Sequence, residues 1–542
     1  MYRPIADPPV RSELNFVSVI DRNYVIPCSI LLLSFRENNP ELRATIFILH
    51  CDLTDDDCGY LQAVAGMTGI DLHFVKMPAD PFSQFPTRRR SQVQSQREMP
   101  PIAYAKAFVD RFIPAHVNRA VIIDSDMVAA GSFAGVNDLL GDALLAAVAS
   151  PFSFSPRHYQ FNSGFMPVDL AAWRQLGIAD IAERFLYDYA DSLFLHDQHV
   201  LNLIFRGHWK RLPLSWNWIE KICLYGARMS AHVTEGEIDA ERSKIKLIHF
   251  IGDIHKPWRH NSRHPYRDLY CRYEARLSDM SRQWSLINPR YGQPDTSSKI
   301  HDAGHGAIAQ PIDRDSPPDT DAAQALDRMM DGKRALPITR FASHAGMASL
   351  DLLRHVSEHI LRHRPKTIVE CGCGLSSIAM ADALERAGYD GHVWSLEDDR
   401  DRIEILRQEL LERGLDRRVT ILECPLTEQV FEGFTKPFLW YDLDRVEIPP
   451  AIDLLLVGGP SEIAGKHARY PAGVTLLPRV APSGHVFIDE IAGGEIRLSS
   501  KWRLLHPDFG VRNLGANRMQ MFRLDEQIKR FLPALLSKPS RA

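Results

Sequence analysis

Short apolar runs alternating with helical stretches recur in two separate blocks of this chain, and no other feature narrows its fold as much. From Leu14 to about Met280 the runs FVSVI, ATIFILH and AVIID alternate with helical segments, the pattern of an α/β domain. The pattern breaks between Ile287 and Pro318, where NPRYGQPD, HGAIAQP and DRDSPP are rich in Pro, Gly and Asp and poor in periodic apolar residues, as a linker is. From Pro365 to Leu524 it resumes as TIVE, HVWSLE, VTILE, IDLLLV and HVFID. The expectation is two α/β domains at 12–285 and 336–526, a linker at 286–335 and a C-terminal tail at 527–542. A length of 542 residues agrees, because one hydrophobic core rarely serves so long a chain. Glycine and acidic positions in the two blocks do not correspond, so the blocks are not repeats of each other.

A formal charge of -4 and a charged fraction of 24% give no basic excess of the kind that binds nucleic acid, which is not expected as a partner. The scattered cysteines include one close pair, Cys371 and Cys373, and it flanks a glycine rather than forming C-x-x-C, which fits a reducing compartment. The N-terminus lacks a basic start followed by an apolar core, and Ile26 to Phe35 is too short to span a bilayer. A cytoplasmic protein is expected. The tail mixes Lys529, Arg530, Lys538 and Arg541 with Phe531, Leu532, Leu535 and Leu536. It is read first as frayed and solvated, and second as a weak peripheral contact with the inner face of an anionic membrane.

The first chemical constellation is NRAVIIDSDM, from Asn118 to Met127: an apolar strand ending in two carboxylates, Asp124 and Asp126. Asp-x-Asp alone decides nothing, since it recurs at Asp55/Asp57, Asp313/Asp315, Asp319/Asp321, Asp399/Asp401 and Asp442/Asp444. Position matters more. Ligands of open α/β sheets gather beyond the carboxyl ends of the strands, where such a pair faces a bound metal and diphosphate as readily as it caps a turn. Further along come FNSGFMPVDLAAW from Phe161, HDQHVLN from His196 and HFIGDIHKPW from His249.

Together with FVSVIDRNY, these ordered segments resemble glycosyltransferase family 8, the bacterial galactosyl- and glucosyltransferases that share a fold with glycogenin. The resemblance spans roughly the first half of the chain. It implies a GT-A fold, a UDP-sugar donor, a saccharide or lipid-linked saccharide acceptor, Mn²⁺ (or Mg²⁺) and retention of anomeric configuration. Asp124, Asp126 and His249 are the implied metal ligands, a set of hard oxygens with one imidazole that suits Mn²⁺. Lys256 would set a positive charge against the leaving diphosphate. Asp21, Asn23 and Tyr24 match the uridine end; Lys106, Ser125, Asn162, Ser163, Gly164 and Gly252 complete the donor-binding set. Asp197 and Gln198 match the residues facing the transferring sugar. An amide is a weak nucleophile, which favours front-face substitution over a covalent intermediate. Two departures stand out: Lys106 replaces an arginine common in the family, and HFIGDIHKPW has one extra residue before Lys256.

The second constellation, KTIVECGCGLSSI, places E-x-G-x-G between a strand and a helix, and HVWSLE ends in Glu397 some two dozen residues later. With IDLLLVGGP and GHVFIDE these resemble a class I methyltransferase using S-adenosylmethionine, Rossmann-like in fold, over about Pro337 to Leu524. The resemblance implies that Gly372 and Gly374 let backbone approach the cofactor, that Glu370 meets its ammonium and that Glu397 meets its ribose. A dinucleotide-binding unit is the rival, short of its third glycine. Gly458 stands where related domains commonly have Asp. Asp489, Glu490 and His467 are base candidates by location only. The expected protein is thus a sugar transferase joined to a methyltransferase; the alternatives are a non-catalytic second domain or a glycogenin-like self-glycosylating chain.

Overall fold

The computed structural model describes residues 14–78, 101–150, 159–193, 196–219, 232–252, 256–283, 349–431, 436–461, 464–465, 467–489, 496–515 and 518–537. The linker expected at 286–335 lies outside them. The described residues 14–283 and 528–537 form one compact unit, and 349–527 form another.

In the first unit the strands run β1 (Leu14–Val19), β2 (Ala44–His50), β3 (Asp71–Lys76), β4 (Arg119–Ile123), β5 (Met127–Ala129), β6 (Ala146–Ala149), β7 (Phe161–Asn162), β8 (Phe165–Asp169), β9 (Lys210–Leu212), β10 (Trp218–Ile219) and β11 (Leu247–His249). The main sheet has the order β3-β2-β1-β4-β8, parallel except for β8. Every residue of ATIFILH in β2 is buried, as a parallel strand covered on both faces requires. The described residues also form two small sheets, β10-β11-β5 and β7-β6-β9. Thr54 and Asp57 exchange capping bonds to open the helix Asp55–Thr68, and Arg22 pairs with Asp57 at 2.9 Å, which ties the turn after β1 to that helix.

The second unit contains β12 (Thr367–Cys371), β13 (His392–Glu397), β14 (Val419–Glu423), β15 (Leu426–Gln429), β16 (Phe438–Tyr441), β17 (Ile452–Val457), β18 (Val480–Asp489), β19 (Phe509–Gly515) and β20 (Arg518–Arg523). Its main sheet has the order β14-β13-β12-β17-β18-β20-β19, while β15 and β16 form a separate ribbon. The antiparallel β20 lies between β18 and β19. An all-parallel dinucleotide-binding sheet has no such reversal. Alternate residues serve opposite faces: Ile368, Leu454 and Leu456 enter one core, Val369, Leu455 and Val457 the other.

Three imidazoles meet on one side of this sheet. The ring of His359, from the helix Leu350–His363, lies 4.4 Å from those of His363 and His485. Burial, then His485 and His363, push His359 down to about 2. Its neutral form is therefore the folded form. The stability this contributes is complete above the unfolded value near 6.5 and is lost as pH falls from there toward about 2. At pH 5 His359 is expected to make folding about 2 kcal/mol less favourable than at pH 7. Thermal unfolding between these pH values should show a smaller fall for His359→Phe than for the unaltered chain.

The tail differs from its first reading. Phe531 meets Phe185 edge-on at 6.3 Å, Arg184 lies over the Phe531 ring at 5.3 Å, and Leu536 is buried. Residues 528–537 thus pack on the first unit through Phe531 and Leu536 rather than fraying into solvent, while 538–542, with Lys538 and Arg541, lie outside the described residues. Among the described residues no helix is long and apolar enough to cross a membrane.

Candidate active site

Asp124 and Asp126 follow directly from the apolar β4, whose end is pinned by a bond from the Asp124 N–H to the Gly164 carbonyl at 2.8 Å. His249 ends β11, which runs antiparallel to β5 with His249 opposite Met127, and the Phe250 N–H donates to the Asp126 carbonyl at 3.0 Å. Register therefore brings three residues, distant in sequence, to one point. Their ligand atoms lie within 4.8 Å of one another.

The carboxylates divide their labour. Asp124 Oδ1 pairs with Lys106 Nζ at 2.6 Å, and Asp126 Oδ2 pairs with Lys256 Nζ. The other two oxygens turn inward: Asp124 Oδ2 lies 3.5 Å and Asp126 Oδ1 3.3 Å from His249 Nε2. Two oxygens and one ring nitrogen converging on one spot, with their outer oxygens already held, form a donor set that fits a divalent cation.

Burial works against the charges of Asp126, Lys106 and Lys256, and their partners outweigh it. Burial alone would raise Asp126, but Lys256 and His249 hold it well below the usual carboxylate range. Lys256 is held above the ordinary lysine range by Asp126 against the pull of burial, and Lys106 likewise by Asp124 and Asp197. Asp197 goes the other way: burial raises it, and Asp124 adds to that effect against Lys106.

The remaining residues of the expected set surround this centre. Lys106 also lies 3.4 Å from Asp197 and donates to the Ser163 carbonyl at 3.3 Å, so one ammonium bridges two carboxylates. Asp197 and Gln198 stand in the first turn of the helix His196–Ile204. Gln198 Oε1 accepts from Asn162 Nδ2 and from the Ser163 N–H, both at 3.1 Å. Ser125 is buried in the turn between the two aspartates. Lys256 returns to the cluster despite the extra residue before it, donating also to the Phe250 carbonyl at 2.9 Å; Gly252 nearby takes a left-handed φ of 82°. Tyr24 is half-buried, edge-on to Trp258 at 6.1 Å, with the Lys256 ammonium 5.6 Å from its ring centre. Asp21 caps the turn by accepting from the Asn23 N–H at 2.8 Å, burial chiefly raises its pKa, and Asn23 is exposed.

Sequence reasoning passed over three residues that the structure brings in. Asn217 is fully buried, with its Oδ1 3.0 Å from His249 Nδ1 and its Nδ2 donating to Asn162 Oδ1 at 2.8 Å. Asn202, the last residue of HDQHVLN, bonds both backbone groups of Phe161 and the Gln198 carbonyl. Trp258 places its ring centre 5.5 Å from the Lys256 ammonium. The first was invisible in PLSWNW; the other two lay within segments already singled out.

In the second unit Gly372 adopts φ 86°, and a Cβ there would lie 3.1 Å from the Gly459 backbone, so two glycine turns approach closely beyond β12 and β17. The Gly374 N–H donates to Ser377 Oγ at 3.1 Å. Glu370 is buried, chiefly burial raises it to about 7, and its Oε2 accepts from Ser377 and Ser395 at 2.6 and 2.7 Å. Among the described residues its Oε1 has no partner. That orphaned oxygen and the glycine cradle fit a cofactor bearing an ammonium group. Glu397 faces inward: Oε2 accepts from the Cys373 N–H at 2.8 Å and Arg402 at 3.3 Å, Oε1 from the Asp398 and Asp399 N–H groups at 3.1 Å. All four acceptor positions are in use, so a ribose diol would have to displace one of these bonds. The neighbouring Asp398 is exposed. Among the described residues a Cβ at Gly458 would meet only the Cys371 carbonyl, at 3.5 Å. His467 holds a left-handed φ of 64°; the Asp489 side chain and Glu490 lie outside the described residues.

The Tyr441 hydroxyl is buried, has no hydrogen-bond partner among the described residues, and would lie 2.8 Å from a Cβ at Gly459. A buried hydroxyl without a partner destabilises the ligand-free fold. Tyr441→Phe is therefore expected to leave the thermal midpoint unchanged or raise it, by about 1 kcal/mol of stability.

Comparison with known proteins matches the two units to two families. Residues 15–262 match the glycosyl transferase family 8 model, and residues 369–491 match a methyltransferase domain model. General stress protein A of Bacillus subtilis (strain 168) is 24% identical over 293 residues, which cover 52% of this chain and 98% of that protein. Glycosyltransferase GlyB of Streptococcus pneumoniae is 29% identical over 212 residues, covering 37% of this chain and 50% of GlyB. A lipopolysaccharide 1,2-glucosyltransferase of Escherichia coli is 24% identical over 268 residues, covering 46% of this chain and 74% of that enzyme. The first unit is thus of the GT-A type and the second Rossmann-like.

Proposed function

Residues 15–262 make up a glycosyltransferase family 8 domain and residues 369–491 a methyltransferase domain, and from that premise we propose that the chain transfers a hexose, galactose or glucose, from a UDP-sugar to a saccharide or lipid-linked saccharide with retention of configuration. The second domain would methylate the product or a related sugar. The observation that carries the reading is the convergence of Asp124 Oδ2, Asp126 Oδ1 and His249 Nε2 beyond the carboxyl end of β4.

Asp124, Asp126 and His249 would hold Mn²⁺, or Mg²⁺, which when bound neutralises charge growing on the departing diphosphate. Lys106 and Lys256 hold the outer oxygen of each carboxylate and leave the other aimed inward, and Lys256 adds its own charge near the diphosphate. Asp21, Asn23 and Tyr24 border the uridine end. Gln198 Oε1 already accepts two hydrogen bonds, so its lone pairs are committed and it is placed to orient rather than attack. That supports front-face substitution, with Asp197 binding sugar hydroxyls. Intact mass of the chain turning over donor should show no hexose on residues 197 or 198. A trapped adduct there would contradict this mechanism.

A panel of UDP-sugars incubated with the full chain, Mn²⁺ and no acceptor tests the proposal. Slow UDP release is expected from UDP-galactose or UDP-glucose, and release from neither would refute it. For the second domain one further reading has support: the occupied Glu397 and the missing carboxylate at Gly458 suit a binding module without methyl transfer. Binding of S-adenosylhomocysteine with no methylation of glycan acceptors would favour that reading.

A further inference from the structure

Four buried amide and imidazole groups form a single chain across the first unit, and two backbone N–H groups fix its polarity. The Gly164 N–H donates to Asn162 at 3.0 Å, so the Asn162 atom at that point is its oxygen. The same oxygen accepts from Asn217 at 2.8 Å, so Asn217 must present its amino group there. Its own oxygen therefore faces His249 Nδ1 at 3.0 Å, and that nitrogen must carry a proton. At the other end the Ser163 N–H fixes Gln198 Oε1 as an acceptor at 3.1 Å, which agrees with Asn162 donating to it. The two backbone donors impose the same polarity from opposite ends. No side-chain orientation in the chain is left to choice.

The consequence falls on the other ring nitrogen. With Nδ1–H committed to Asn217, the Nε2 lone pair is left for the spot where Asp124 Oδ2 and Asp126 Oδ1 converge at 3.5 and 3.3 Å. We propose that Asn217 is a positioning residue for the cation site, fixing the His249 tautomer and ring angle and linking that ligand, through Asn162, to the sugar-facing amide of Gln198. The proposal rests on the reading of Asp124, Asp126 and His249 as cation ligands. Partners of this kind on ligating histidines govern metal affinity, because they set which nitrogen is free and where it points.

The test is Mn²⁺ titration of the full chain, followed by the electron paramagnetic resonance signal of free Mn²⁺. Asn217→Leu is expected to weaken Mn²⁺ binding about 10- to 100-fold. The same substitution in a His249→Ala chain is expected to change affinity less than about twofold, because the residue acts through that ring. A purely structural role would weaken binding in both backgrounds alike. Long-range ¹H–¹⁵N spectra of histidine give a second reading in the chain loaded with diamagnetic Mg²⁺: a protonated Nδ1 at His249 in the unaltered protein, and loss of that single tautomer in Asn217→Leu. An Asn217→Leu affinity within twofold of the unaltered chain, or equal losses in both backgrounds, overturns the proposal. Failure of the unaltered chain to bind Mn²⁺ overturns the cation reading and this inference with it.

Discussion

Replacing Gly164 with alanine is expected to destabilise the first unit by about 1–3 kcal/mol and to remove nearly all metal-dependent activity. A Cβ at this position would run into the His249 ring, with Nδ1 at 2.7 Å, and would lie 2.7 Å from Met127 Cε. Both neighbours are buried and neither can withdraw freely: His249 is held by Asn217, and Met127 lies in β5 opposite it. The ring must yield, and with it the spacing between Nε2 and the two carboxylates. Gly252→Ala offers a contrast. Among the described residues nothing lies within 4 Å of a Cβ there, so its cost is confined to the left-handed backbone, roughly 1 kcal/mol. Thermal midpoints and Mn²⁺ affinities of the two variants should separate: both fall for Gly164→Ala, while the ligand atoms are not displaced in Gly252→Ala.

The second large effect concerns Asp126. Asp126→Asn is expected to cost about 3–5 kcal/mol, because Lys256 is buried and loses its counter-charge. It should also abolish metal-dependent turnover. The two losses have different origins, and a double variant separates them. Asp126→Asn combined with Lys256→Met removes both charges, so stability should largely return while turnover does not. If turnover returned with stability, the aspartate would be a structural counter-ion and nothing more.

The alternation of apolar runs located both sheets, since a strand such as ATIFILH, buried at every position, leaves few folds open. The carboxylates and His249 were legible through the family resemblance: the pair at the strand end left metal binding and turn capping equally open, and only the ordered segments after it singled out His249. Asn217 was not. Its place beside His249 comes from the pairing of β10 with β11, where Ile219 faces His249, and nothing in PLSWNW announces that register. Lys106 was noticed as a departure, yet its bridge between Asp124 and Asp197 depends on two elements far apart in sequence. Spacing and resemblance pointed to Glu397 as the carboxylate that meets a cofactor ribose; only the folded turn shows its oxygens accepting from backbone N–H groups and Arg402. The tail misled for a related reason: mixed basic and apolar residues look alike whether solvent, membrane or the chain's own Phe185 receives them.

The central claim is that Asp124, Asp126 and His249 hold a cation through which the nucleotide-sugar binds. Calorimetric titration of the full chain with UDP-galactose and UDP-glucose, with Mn²⁺ and then with excess chelator, tests it most directly. Saturable binding of one donor with Mn²⁺, reduced at least tenfold by the chelator and absent in Asp126→Asn, is the predicted result. Equal donor affinity with and without the metal would contradict it.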